Sequence, residues 1–338
     1  MRKFCEENER TKRAHLVYLR DAKGQDEKSL DKVAAALLKF EESTNFKPFK
    51  KFHIDQAGKF KVYLDKARNP KTGKPLSHAT TDAILRMVKA FFHWLAGQPG
   101  YKSRISYSDT EYFNNNAKDA RVAHAQRDIP FPSMQQAAHA FQAMPEGSEL
   151  ERRDKALFAF LMLTGARDGA VASLRLKHIN LFDGSVFQDA RQVKTKNAKT
   201  FTTTFFQVGA AYLNCFENWV RFLRDEKLFG PEDALFPKPL RELRDGQFVF
   251  EKLSRETYSS AAKFISIIRN AFAVVQLPEY TPHSFRKTLG HLMNERCKTL
   301  EEQKAWSMNL GHENLATTVS AYMPISPQRQ AELINRMT

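Results

Sequence analysis

The period of its apolar residues constrains this chain more than any other feature. They recur at three- and four-residue spacing through most of the sequence, which is the pattern of one-sided helices. The clearest case places Ile84, Val88, Phe91, Phe92 and Leu95 on one face, with Ser77 or Thr80 to cap the start and Gly97 and Pro99 to end it. Leu30 to Glu42 (Leu30, Val33, Leu37 and Leu38) and Ile54 to Lys66 (Phe60 and Leu64) read the same way. The period changes around Val186 to Val208. There Ser185-Val186-Phe187 and Thr200 to Phe206 are β-prone and flank the turn-like Thr195-Lys196-Asn197-Ala198, so a β-hairpin is expected. Helical spacing returns at Ala210 to Leu223, Tyr258 to Val275, His283 to Glu295, Thr299 to Met308 and Asn314 to Tyr322. The expected fold class is mostly α with a small β-sheet.

A length of 338 residues exceeds one ordinary core, so two domains are expected. The densely charged stretch 1–28 reads as a loosely held arm, and 29–113 as a small all-α module. The polar segment 114–130 reads as a linker, 131–326 as a second, mostly helical domain, and 327–338 as a short tail helix after a proline. No apolar run approaches the roughly 18 residues of a membrane span, and Met1 to Arg20 has no apolar signal core. Cys5, Cys215 and Cys297 are far apart and fit a reducing compartment better than a disulfide framework. Lys and Arg number 53 against 38 Asp and Glu, a net charge of +15. That excess favours a polyanionic partner, nucleic acid first, bound largely through counterion release.

Four segments of the second domain carry candidate chemistry. Leu163-Thr164-Gly165-Ala166-Arg167-Asp168 sets an arginine just beyond a glycine turn at a helix start, where a guanidinium can meet a phosphate beside free N–H groups. Val193-Lys194-Thr195-Lys196-Asn197-Ala198-Lys199 puts three lysines on the hairpin tip. Thr281-Pro282-His283-Ser284-Phe285-Arg286 places a histidine and an arginine three apart on one helical face. Leu310-Gly311-His312-Glu313-Asn314 is followed by Thr317-Thr318 and Tyr322. Taken singly, each has an ordinary reading: a solvated arginine, lysines that block edge pairing, a structural histidine.

In this order and at these spacings the four resemble the tyrosine recombinase (phage-integrase) family. "TGARDGAVASLRLKHI", "HSFRKTLGHLM" and "LGHENLATTVSAYM" are similar to that family's first-arginine, His-x-x-Arg and His-to-Tyr boxes, and the lysine hairpin falls between the first two. The resemblance covers about residues 150–325 and implies an N-terminal core-DNA-binding module and a C-terminal catalytic domain. It places the catalytic set at Arg167, Lys194, His283, Arg286, His312 and Tyr322, with Lys196 as the alternative hairpin lysine. Two departures stand out. The acidic residue usual three positions after the first arginine is Ala170 here, with Asp168 as the nearby candidate. Tyr322 follows His312 by ten positions, where many members have nine.

The implied chemistry suits these residue types. Arginine forks match the equatorial oxygens of a pentavalent phosphorus. A tyrosine nucleophile conserves the backbone's bond energy as a 3′-phosphotyrosyl link, so rejoining needs no ATP. His283 is the expected base, Lys194 the expected acid for the departing 5′ oxygen, and His312 the group that positions the scissile phosphate. No cofactor or metal is expected: the four boxes hold only Asp168 and Glu313, too few carboxylates for a two-metal site. The implied partners are double-stranded DNA with an inverted-repeat core site, further copies making a homotetramer on DNA, and an accessory directionality factor where direction is controlled. The implied role is integrating or excising a mobile element in a bacterial cytoplasm, at the nucleoid and away from membranes. A catalytically inactive DNA-binding protein on the same fold and a type IB topoisomerase-like enzyme are the alternatives.

Overall fold

Small hydroxyl residues and glycine cut the chain into its helices. In the computed structural model, Ser77 accepts a hydrogen bond from the Thr80 N–H to open α4 (His78–Ala96), and Gly97 closes it. Residues 4–70, 72–125, 130–195, 198–316, 318 and 327–336 are described. The chain divides into two compact units, residues 1–127 and 128–338. Among the described residues no helix is long and apolar enough to cross a membrane.

The first unit is all helical: α1 (Glu6–Asp21), α2 (Glu27–Ser43), α3 (Ile54–Lys66), α4 and α5 (Ala117–His124). Its core is an aromatic cluster. Phe40, Phe60, Phe92 and Phe113 are fully or almost fully buried, and the Phe40 and Phe92 rings meet edge to face at 5.0 Å.

Two expectations fail here. The stretch read as a loose arm contains α1, which buries Asn8, Lys12, His15 and Leu19. These recur at helical spacing, but three of the four are polar, so an apolar pattern does not reveal them. Lys12 and Asn8 both bond the fully buried Glu41 of α2, at 2.5 and 3.0 Å, and Asn8 also bonds the loop carbonyl of Lys47. The stretch read as a linker opens with structure too. Within it α5 forms under an Asn116 cap. Short polar helices of this kind resemble loops in composition. Residues 126–129 of that stretch lie outside the described residues.

The second unit is built around α7 (Glu149–Thr164), in which every residue from Ala156 to Leu163 is buried. A helix apolar on all sides belongs at the centre of a unit. Around it lie α6 (Met134–Ala143), α8 (Asp168–Val171), α9 (Ala210–Arg221), α10 (Ala262–Val274), α11 (Pro282–Arg296) and α12 (Leu300–Asn309). The expected hairpin pairs β2 (Ser185–Gln188) with β3 (Phe201–Thr204), antiparallel, with Val186 opposite Thr203. A short strand β1 (Ile179–Asn180) adds to its edge, and a separate ribbon pairs β4 (Glu242–Arg244) with β5 (Gln247–Val249). Strands of two or three residues are too short to show alternation, and neither was expected. α10 starts at Ala262 rather than Tyr258, because Tyr258 turns inward to meet Phe264 edge to face and to accept from buried Arg153. The last described element is the helix Pro327–Arg336.

Candidate active site

The site begins where α7 stops. Gly165 takes the left-handed conformation, φ 56°, which glycine adopts without strain, and its N–H closes the helix on the Leu161 carbonyl. The chain then turns through Ala166, and Arg167 becomes the cap residue of α8, half-buried.

α11 supplies the next two residues. At its start the Thr281 N–H donates to the Ser284 hydroxyl and the Ser284 N–H to the Thr281 carbonyl, and Pro282 sits in its first turn. Arg286, only 2% exposed, points across to the end of α7. Its Nη1 donates to the Gly165 carbonyl at 2.5 Å, and its Nη2 donates to the Leu310 carbonyl at 2.7 Å and to His312 Nε2 at 2.9 Å. Its Nε is buried and has no partner among the described residues. No carboxylate pairs with the guanidinium among those residues either.

The third element is the turn after α12. Gly311 has φ 74°, and a methyl group there would lie 2.6 Å from the Phe201 ring. This close approach seats β3 against the turn and swings His312 inward, where it is 6% exposed. The His312 Nδ1 lies 2.7 Å from the Thr318 hydroxyl, and that hydroxyl lies 2.6 Å from Ser307 of α12.

Electrostatics show how the groups converge. Burial first, then the charges of Arg286, Arg167 and Lys199, hold His312 down to about 4. Solvent reaches the His283 ring, yet the groups packed around it lower its pKa, followed by the charges of Arg286, Lys287 and Arg167, with Asp168 pulling the other way. Arg167 and Arg286 therefore act on both histidines, and both rings are biased toward the neutral form.

Of the six residues expected from sequence, the structure brings Arg167, His283, Arg286 and His312 together. Lys194 is exposed. Its N–H donates to Ser173 and its ammonium to the Ser259 carbonyl at 3.2 Å. Among the described residues of the hairpin, the cation whose field reaches His312 is Lys199, half-buried and 4.0 Å from Glu313. Lys196 and Tyr322 lie outside the described residues. Ala170 is buried, and the carboxylate whose charge reaches His283 is Asp168. Thr318 and Ser307 have no sequence signal that separates them from solvated hydroxyl residues, and only the fold shows them at the histidine.

Residues 133–329 match the phage integrase family, well over half of the chain. No curated protein matches in sequence. Among solved structures the chain is similar to the Tn1549 transposon integrase in complex with transposon right end DNA, with a TM-score of 0.65 and 15% identity, covering 97% of this chain and 99% of that one. It is also similar to a lambda integrase dimer bound to a COC′ core site (TM-score 0.61, 14% identity, 93% and 94% covered). A third likeness is to the XerH site-specific recombinase bound to palindromic difH substrate (TM-score 0.60, 16% identity, 98% and 84% covered). At these identities the likeness is one of fold. With the family match across the unit that holds the convergent arginines and histidines, the chain belongs to the phage integrase family, the tyrosine recombinases.

Proposed function

We propose that this protein is a site-specific DNA recombinase that cuts and rejoins duplex DNA through a 3′-phosphotyrosyl intermediate. The observation that carries the reading is Arg286: a buried, permanently charged group with neither a carboxylate partner nor a partner for its Nε–H among the described residues. A buried cation without a counter-charge is strongly unfavourable, and a bound phosphodiester supplies that charge. The neighbouring Arg167 and the two neutral-leaning histidines suit the same ligand.

In this mechanism the Tyr322 oxygen attacks phosphorus. Arg167 and Arg286 stabilise the added charge on the equatorial oxygens. His283, biased toward its neutral form, takes the phenol proton, and His312 positions the phosphate. The departing 5′ oxygen takes its proton from the hairpin, from Lys194 or Lys196. For Lys194 this requires release from the Ser259 carbonyl. The free 5′ hydroxyl of a second strand then attacks the phosphotyrosyl bond and restores Tyr322.

The helical first unit takes the core-DNA-binding role, with the basic loops Lys47 to Lys51 and Lys71 to Lys74 on phosphates. The similar structures hold transposon-end, core-site and difH DNA, which supports an inverted-repeat duplex as substrate. Four copies on two paired sites, integration or excision of a mobile element, and control by an accessory directionality factor complete the proposal, in a bacterial cytoplasm at the nucleoid.

Covalent trapping in the native host tests it. The wild type and Tyr322→Phe are denatured and recovered, and attached DNA is sequenced. Site-focused adducts in the wild type alone, undiminished by EDTA during cleavage of the recovered site in vitro, are expected. Adducts that persist in Tyr322→Phe move the nucleophile elsewhere. Their absence from both favours a DNA-binding protein without strand chemistry.

A further inference from the structure

Arg286, His312, Thr318 and Ser307 form a continuous buried chain of polar contacts. The successive distances are 2.9, 2.7 and 2.6 Å, and the four residues are 2%, 6%, 0% and 1% exposed. A guanidinium has donors only, so His312 Nε2 must present its lone pair to Arg286. In the neutral ring the single proton then sits on Nδ1, where a buried N–H needs an acceptor. The Thr318 oxygen is that acceptor. Ser307 holds the same hydroxyl from the side of α12.

Thr318 lies four residues before Tyr322 in the chain. Its hydroxyl therefore links the stretch leading to the proposed nucleophile with the arginine proposed to bind the phosphate. We propose that Thr318 is a positioning residue. Together with Arg286 on the opposite nitrogen, its hydroxyl, by accepting from Nδ1–H, holds His312 in the form that gives Arg286 its third acceptor and leaves the Nε–H for the ligand. The contribution to strand cleavage rests on the function proposed above; the choice of tautomer does not.

The hydroxyl has a second use. For His312 to donate to a phosphate from Nε2, the proton must leave Nδ1, and Nδ1 must then accept. A threonine hydroxyl can donate as well as accept, so it serves both ring forms by rotation. Valine fills the same space and serves neither.

The test uses the full-length protein labelled with 15N-histidine. Long-range 1H–15N correlation reports the ring tautomers, and His312→Asn assigns the His312 signals by their loss. A single Nδ1–H form is expected in wild type and in Thr318→Ser, and a mixed or Nε2–H ring in Thr318→Val. If Thr318→Val keeps a single Nδ1–H form, Arg286 alone selects the tautomer and the proposal is overturned, whatever the cleavage results. In the trapping assay, adduct yield should fall about tenfold or more in Thr318→Val and stay within about twofold of wild type in Thr318→Ser. Equal yields in the wild type and both variants remove Thr318 from the reaction. A wild type without adducts instead defeats the proposed function, and the tautomer result still decides the role of Thr318.

Discussion

Arg286 and Gly165 are 121 positions apart in the chain, yet the Arg286 Nη1 donates to the Gly165 carbonyl at 2.5 Å. The contact joins the first turns of α11 to the end of α7. Carbonyls at a helix C-terminus lack helical partners and lie at the negative end of its dipole. A guanidinium placed there is partly compensated, which lets a permanent charge be buried without a carboxylate partner among the described residues.

Replacing Arg286 by Lys should separate charge from geometry. One ammonium cannot serve the Gly165 carbonyl, the Leu310 carbonyl and His312 Nε2 in the same fixed fork. Leaving buried acceptors unserved is expected to lower stability by about 2 to 4 kcal/mol, read from urea unfolding. Adduct formation should be lost although the charge is kept.

Gly311→Ala tests the seat of His312. The substitution forces a side chain into the left-handed region at φ 74° and puts its Cβ against the Phe201 ring at 2.6 Å. A loss of about 2 kcal/mol or more is expected from the backbone and the overlap together. Phe201→Ala in the same chain should recover the overlap but not the backbone part. The double-mutant cycle should therefore be clearly non-additive.

Stability should fall with acid in a defined window. His312 and His15 are both held down to about 4 from an ordinary 6.5, His15 by burial alone. Between those values the unfolded chain binds protons that the folded one refuses, so stability is complete above about pH 6.5 and is lost as pH falls toward 4. Each ring contributes about 3 kcal/mol at most. Urea midpoints measured across this window should show a shallower slope in His312→Gln and in His15→Phe than in wild type.

The first unit offers a separate test in Glu41→Gln. Burial pulls the Lys12 ammonium down, but its bonds to Glu41 and Glu9 outweigh that and raise it above its ordinary value. Removing the Glu41 charge leaves the largely buried Lys12 ammonium only the half-exposed Glu9 carboxylate at 2.6 Å, a loss of about 1 to 3 kcal/mol. Amide exchange should quicken along Glu6–Asp21 well before it does in α3 or α4.

Legibility in the sequence followed the chemistry of burial. α3 and α4 bury apolar side chains and end at the positions that spacing and capping residues indicate. α1 buries Asn8, Lys12 and His15, and the same method reads it as an unattached charged stretch. In the site, Arg167, His283, Arg286 and His312 were legible through the resemblance of their boxes, taken in order, to those of the family. The engagement of Lys194 with Ser259 was not, because the bond spans 65 positions and uses a backbone carbonyl.

Local spacing determined the helical class and the place of the hairpin, and the order of four short boxes carried the family resemblance. The first two depend on which residues are neighbours within one turn or one strand. Tertiary structure alone decided that Arg286 ends at the Gly165 and Leu310 carbonyls, that the charge of Lys199 reaches His312, and that Thr318 and Ser307 stand behind that ring. Hydrogen-bond partners and local fields depend on distances of a few ångströms between segments far apart in sequence, and only the packing of α7, α11 and α12 sets those distances.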